Sequence, residues 1–263
     1  MFTIDKLYQP RSLAEASELL TKFPDITVLG GCGFLKMGNR KIATALDLSL
    51  CNLHEISETE QYIELGAMVT LRDVEVNPTL NQSFDAVLPK AVAHILGVQF
   101  RRCATIGASV YSKYGFSDIL PALLALDTEV ELLRSGRMSL VDFLTKPISR
   151  DVLINLRIKK DNRRAAYQNL RNAGADFPIL NAAVSQHGKQ WTVIVGARPA
   201  RAEIAVQASR LLSDMPADSI DIDKAAATAA TELTFGSNNK ASADYRRAMC
   251  QVLVKRAIEE VLA

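Results

Sequence analysis

Three textures of apolar and polar positions succeed one another along the chain. In "PRSLAEASELL" the apolar residues Leu13, Ala16, Leu19 and Leu20 recur at helical spacing behind a capping box of Ser12 and Glu15, which predicts a helix. "DITVLG" then reads as a strand running into the glycine turn "GGCGF", and "ATALDLS" (Ala43–Ser49) as a second strand. Together they make a small α/β unit. A second unit begins near Gln61 with the strand "YIELGAMV" and the short helix "TLRDVE", which starts at Thr70 with Asp73 in capping position. "PKAVAHILG" (Pro89–Gly97) is a helix with proline in its first turn, where the missing N–H costs little. The polar stretch "VQFRRCATIGASVYSKYGFSD" reads as a loop. The helix "ILPALLALD", the strand "EVELL" (Glu129–Leu133), and a turn and helix in "GRMSLVDFL" follow.

From about Asp151 the pattern changes. "DVLINLRI", "AAYQNLR", "ILNAAVSQ" and "WTVIVGA" read as short strands joined by polar turns, which predicts an antiparallel meander. Three helices finish the chain, in "RAEIAVQASRLL", "IDKAAATAATEL" and "SADYRRAMCQVLVKRAIEEVL". The last places Tyr245, Met249, Val252, Leu253, Ala257 and Val261 on one face, to pack on the meander. There is no internal repeat and no long linker.

Composition narrows the function. The 263 residues suffice for one large domain or two to three small ones. No apolar run is long enough to span a bilayer and "MFTIDKLYQPRS" lacks a signal-peptide core, so a cytoplasmic protein is expected. A net charge of +2, with the basic doublets Arg101–Arg102 and Arg163–Arg164 isolated, argues against a nucleic-acid or membrane partner. "KKDNRR" (Lys159–Arg164) reads as a solvated turn between strands. Cys32, Cys51, Cys103 and Cys250 lie far apart and read as free thiols. With His54, His94 and His187 also scattered, no metal site of the chain's own is expected. No nucleophile signature appears.

The stretch "ITVLGGCGFLKMGN" invites a dinucleotide-binding reading. The Rossmann fingerprint needs a third glycine where Lys36 stands, and Asp47 falls too early for the ribose carboxylate. A phosphate loop of the GK[ST] kind is absent. Adjacent glycines after a strand can still expose N–H groups as an anion-binding nest, although a plain tight turn explains this stretch alone as well. A second small-residue loop, with Thr105, Gly107, Ala108 and Ser109, offers further donors. Asp118 follows just before an apolar helix, as a helix cap or as an acceptor for ligand hydroxyls. Two such loops, one in each α/β unit, suit a long, bent dinucleotide held by its pyrophosphate.

These residues carry a family resemblance. "LGGCGFLK" and "RRCATIGAS…SDILPALLALDTEVEL" resemble the FAD-binding (medium) subunit of the molybdenum hydroxylases, the flavoprotein subunits of xanthine dehydrogenase and carbon monoxide dehydrogenase among them. The family's loops read roughly A-G-G-T-D-L and R-N-x-A-T-I-G-G-N-x-x-x-A-x-P-x-x-D. "YQPRSLAEASELL", "IELGAMVTL" and "SADYRRAMCQVLVKRAIEE" extend the likeness over nearly the whole chain.

The resemblance implies an α+β fold in three parts. FAD-binding subdomains of the PCMH/vanillyl-alcohol-oxidase type would occupy residues 1–55 and 56–158. A C-terminal flavoprotein domain of a small antiparallel sheet and three helices would occupy 159–263. It also implies cofactor contacts. Val28, Leu29, Gly30, Gly31, Cys32, Gly33 and Phe34 would wrap the pyrophosphate, and Thr105 and Gly107, in a loop with Ile106, Ala108 and Ser109, would add donors. Asp118 would bind sugar hydroxyls, Leu153 would pack on the flavin, and Gln168 stands where relatives often carry a lysine near the ring.

The departures are Cys32 and Gly33 for Thr and Asp, Gly107-Ala108-Ser109 for G-G-N, and Lys113-Tyr114-Gly115 for A-x-P. A positive φ at Ala108 would cost roughly 1 kcal/mol or more. The activity implied is that of an oxidoreductase subunit in a heterotrimer. It would take electrons from a 2Fe-2S small subunit onto FAD and pass them to NAD+ or another acceptor, with molybdopterin on a large subunit. No acid–base or nucleophilic catalytic residue is expected in this chain. The alternatives are a flavin-free scaffold subunit of the same kind of complex and an independent nicotinamide-dependent Rossmann enzyme.

Overall fold

The computed structural model describes residues 1–216 and 219–263, which form two compact units. The first comprises Met1–Asp73, Val98–Ser112 and Thr128–Lys159, and the second Val74–Gly97, Lys113–Asp127 and Lys160–Ala263.

The first unit holds two sheets. Strands β1 (Thr3–Tyr8), β2 (Thr27–Leu29) and β3 (Lys41–Asp47) form a parallel sheet in the order β1-β3-β2. Strand β1 was not apparent in the sequence, because it alternates weakly and buries little; it exists through its parallel ladder with β3. Strands β4 (Ile56–Glu58), β5 (Tyr62–Gly66), β6 (Thr128–Leu132), β7 (Gly136–Ser139) and β8 (Leu153–Lys159) form an antiparallel sheet, order β4-β5-β8-β6-β7.

The strand expected to open the meander, "DVLINLRI", is therefore β8, at the centre of the five-stranded sheet instead. Its pairing shows why. Leu156 and Ile158 stand opposite Leu65 and Ile63 on a fully buried face. On the other face Arg157 lies between Glu64 and Glu129, with Nε 2.8 Å from Glu64 and Nη1 3.4 Å from Glu129. Its guanidinium carbon also sits 4.0 Å from the Tyr62 ring centroid. Only β5 and β6 together supply those acids, and cross-strand pairing of this kind fixes register.

The second unit contains the meander, made of β9 (Arg164–Leu170), β10 (Leu180–His187), β11 (Gln190–Gly196) and β12 (Glu203–Ile204), all antiparallel. The helices are α1 (Leu13–Lys22), α2 (Leu71–Val76), α3 (Pro78–Gln82), α4 (Val87–Val92), α5 (Val98–Arg101) and α6 (Ile106–Tyr111). They continue with α7 (Ile119–Ala125), α8 (Leu140–Thr145), α9 (Val206–Asp214), α10 (Ile222–Glu232) and α11 (Ala243–Leu262). Ser12 caps α1, and Thr70 and Asp73 bond reciprocally at the start of α2, as their spacing predicted.

The stretch 98–118, expected as a polar loop, carries two short helices, α5 and α6, with turns between and after them. Helix α11 is also rotated from the expected face. Leu253, Ala257 and Val261 of that face are buried as expected and Met249 packs against the core, but the stripe also takes in Arg246, Cys250, Val254 and Ile258, while Tyr245 is exposed. The rotation follows Arg246, which is buried and donates to the carbonyls of Ile179, Gly236 and Ala241 and to Asn238 Oδ1. A hydropathy pattern puts arginine outside, so the face came out about one residue off.

Candidate functional site

In the first unit the glycine turn leaves β2 and presses against the Phe100–Ala108 segment. None of its glycines has a left-handed backbone; that conformation falls on Cys32, at φ 59°. What the glycines provide is close approach. A Cβ on Gly31 would lie 1.2 Å from the carbonyl oxygen of Cys103, and one on Gly30 would meet Thr105 Oγ1 at 2.7 Å. The turn is closed by Lys36 N–H donating to the Cys32 carbonyl and Met37 N–H to that of Phe34. Among the described residues the N–H groups of Gly31, Cys32 and Gly33 donate to no carbonyl. They remain available as a nest for an anion.

The second loop is built differently from the expectation. Thr105 caps α6, its Oγ1 accepting from Ala108 N–H at 3.4 Å, and Ala108 lies within the helix, free of the positive-φ strain anticipated there. The Ile106 N–H donates to the Val69 carbonyl and the Gly107 N–H to that of Ala67. Gly107 is thus a contact glycine, since a Cβ there would fall 2.6 Å from the Ala67 oxygen, and its amide is not a free donor. Ile106 is wholly buried, and Ser109 Oγ donates to the Thr105 carbonyl.

A cavity of about 260 Å³ opens in this unit. Val28, Leu29, Gly30, Thr105, Gly107, Ala108 and Leu153 line it, so the structure brings these expected residues together. Gly31, Cys32, Gly33, Phe34, Ile106 and Ser109 stand beside it without lining it. Leu48, Met68 and Val152 complete an apolar wall, and Tyr111, Arg40, Arg150 and Asp151 add polar groups. Sequence reasoning missed these four. Each is an isolated polar residue next to a strand or helix end, and only folding converges them. Asp151 is buried and saturated, accepting from the N–H groups of Arg134, Ser135 and Val152 and from Ser135 Oγ.

Asp118 and Gln168 lie in the second unit. Asp118 precedes α7 but its side chain makes no cap; Ser117 Oγ takes that role, accepting from Leu120 N–H at 3.2 Å. The Asp118 carboxylate is buried and bonded to Tyr167 Oη and Arg171 Nη2. Burial pushes its pKa up, and Arg171, Tyr167 and Asn181 offset part of that rise. Gln168 Nε2 donates to Glu260 Oε2 at 2.7 Å, and Lys90 pairs with the other oxygen of Glu260 at 2.6 Å.

The Cys32 and Cys51 thiols are poorly suited to nucleophilic work. Burial, with Asp47 nearby, raises the Cys32 pKa, and burial also raises that of Cys51. Among the described residues no group of three or more His, Cys, Asp or Glu is arranged to hold a metal.

The donor set fits an anionic dinucleotide: free loop amides, two arginines and an apolar wall in one unit. Comparison with known proteins agrees. Residues 2–158 match the FAD binding domain in molybdopterin dehydrogenase, and residues 165–261 match the CO dehydrogenase flavoprotein C-terminal domain. The chain belongs to this flavoprotein family, its fold is that of the CO dehydrogenase flavoprotein, and its cofactor is FAD.

Among individual proteins, it is similar to YgfM of Escherichia coli (strain K12), at 27% identity over 95% of this chain and 94% of that one. The nicotine 6-hydroxylase medium subunit of Paenarthrobacter nicotinovorans is 23% identical over 95% of both chains. A chain of the reconstituted CO dehydrogenase from Oligotropha carboxidovorans shares the fold with a TM-score of 0.88, at 23% identity over 99% of this chain and 98% of that one. A chain of quinoline 2-oxidoreductase from Pseudomonas putida 86 gives 0.87 at 22% identity, over 99% and 97%.

Proposed function

We propose that this chain is the FAD-binding, electron-transfer medium subunit of a cytoplasmic molybdenum hydroxylase. In that assembly it would take electrons from a 2Fe-2S small subunit and pass them to NAD+ or another soluble acceptor, beside a large molybdopterin subunit. The observation that carries the reading is the cavity of the first unit, where residues of β2, α6 and β8 converge on an apolar wall rimmed by arginines within the matched FAD-binding region. The medium-subunit relative supports the placement in a complex. For a site away from membranes, the support is that no described helix is long and apolar enough to cross one.

When bound, FAD accepts electrons singly and releases them in pairs, which suits a relay between one-electron and two-electron partners. The chain's own residues bind and orient. Gly31, Cys32 and Gly33 offer amides to phosphate oxygens, and Leu153, Met68 and Val152 supply apolar contact that keeps water from the cofactor. Within the second unit, Asp118 is held by Tyr167 and Arg171, and Gln168 by Glu260.

Flavin content is the test. The purified chain, or the chain stripped and titrated with FAD, should hold one flavin per polypeptide by absorbance. Protein that is colourless and takes up no FAD would overturn the proposal in favour of a flavin-free scaffold.

A further inference from the structure

The two loops do not share the work of anion binding equally. Of the second loop's amides, Ile106 and Gly107 donate to Val69 and Ala67, Ala108 to Thr105 Oγ1, and Ser109 to the Thr105 carbonyl. The free amides at Gly31, Cys32 and Gly33 belong to residues outside the cavity lining. A dinucleotide in this cavity therefore finds few unengaged main-chain donors on the α6 side. Two cations line it instead, Arg40 just before β3 and Arg150 just before β8.

We infer that Arg40 and Arg150 are the charged anchors of the FAD diphosphate in this chain, taking the part that the second loop's amides leave open. The inference rests on the proposed function. Both side chains are exposed yet tethered: Arg40 Nη2 lies 3.5 Å from Thr27 Oγ1, and Arg150 Nη1 donates to the Pro24 carbonyl. Each guanidinium has five N–H donors and, among the described residues, makes one such bond, so most donors remain for phosphate oxygens. The nearby carboxylate, Asp151, does not compete for them, because its oxygens are filled by the Arg134, Ser135 and Val152 groups. Two cations lining the same cavity as apolar Leu153 and Met68 suit a ligand with a doubly negative linker and a planar ring.

The test uses the full chain stripped of flavin, with FAD and riboflavin as probes, titrated at low and high salt. Arg40→Gln and Arg150→Gln keep a side-chain donor for Thr27 and Pro24 but remove the charge, and thermal melting checks that each variant folds. FAD affinity should fall about tenfold in each single variant and about a hundredfold in the double variant, as for loss of charge-assisted phosphate contacts. The salt dependence of FAD binding should shrink in step, and riboflavin, which lacks the diphosphate, should bind all forms alike. FAD binding by the double variant within twofold of wild type, with unchanged salt dependence, overturns the assignment alone. Failure of the wild-type chain to take up FAD overturns the functional reading and this inference together.

Discussion

At Gly31 the absence of a side chain lets one loop rest on the carbonyl of Cys103, and at Gly107 it lets α6 rest on Ala67. Gly31→Val should displace the Phe100–Ala108 segment, abolish FAD retention and lower the melting temperature. Gly174→Ala is the matching control: nothing lies within 4 Å of the added carbon and no unusual φ opposes it, so retention should not change. Cys250 gives a pH-dependent prediction. Burial pushes its thiol up to about 12 from an ordinary value of 9.0. A raised pKa in the folded state means that the thiol's contribution is whole below pH about 9 and is lost as pH rises toward 12. That loss is at most on the order of 4 kcal/mol for such a shift. Urea unfolding across this range should show wild type losing stability relative to Cys250→Ala; parallel curves would contradict it. At this scale the glycine loop was legible in the sequence as a turn, but its close contact with Cys103 was not, since that partner lies some seventy residues on. The left-handed residue was not, because Cys32 is held there by packing against Leu29, Ile42 and Ala45 rather than by its own preference.

Among elements, α11 and β8 show how one charged residue sets a register that apolar spacing leaves open. Arg246→Ala should cost about 3–5 kcal/mol in denaturant unfolding, because it strands the carbonyls of Ile179, Gly236 and Ala241 away from water. Tyr245→Ala, one residue away and 46% exposed, should cost under about 1 kcal/mol. Equal losses would mean that the helix face is wrongly placed. The caps of α1 and α2 could be read from short-range spacing alone, since their hydrogen bonds run between residues three apart. The partners of β8 are Glu64 and Glu129, distant in the chain, and no local pattern reveals them.

For the whole molecule, the units do not follow the order of the chain. Residues 74–97 and 113–127 belong with the C-terminal meander, where α7 packs on β10 and β11. A fragment of residues 160–263 should therefore fail to fold cooperatively. It would expose the sheet face that α7 covers, seen as dye binding and a broad melting transition, whereas the full chain should melt sharply. The likeness to the flavoprotein family was legible because its two loop motifs are local. The cavity was not, since Arg40, Met68, Tyr111 and Arg150 meet only after folding.

Strand β8 is made long after the strands on either side of it. During synthesis β5 leaves the ribosome some ninety residues before its partner, and β6 about twenty-five before. For that interval each presents an open, apolar edge, the kind of surface on which nascent chains pair wrongly. Chains arrested short of Lys159 should be the aggregation-prone species in a cell making this protein, and a holding chaperone should be found on those lengths and leave once β8 has emerged.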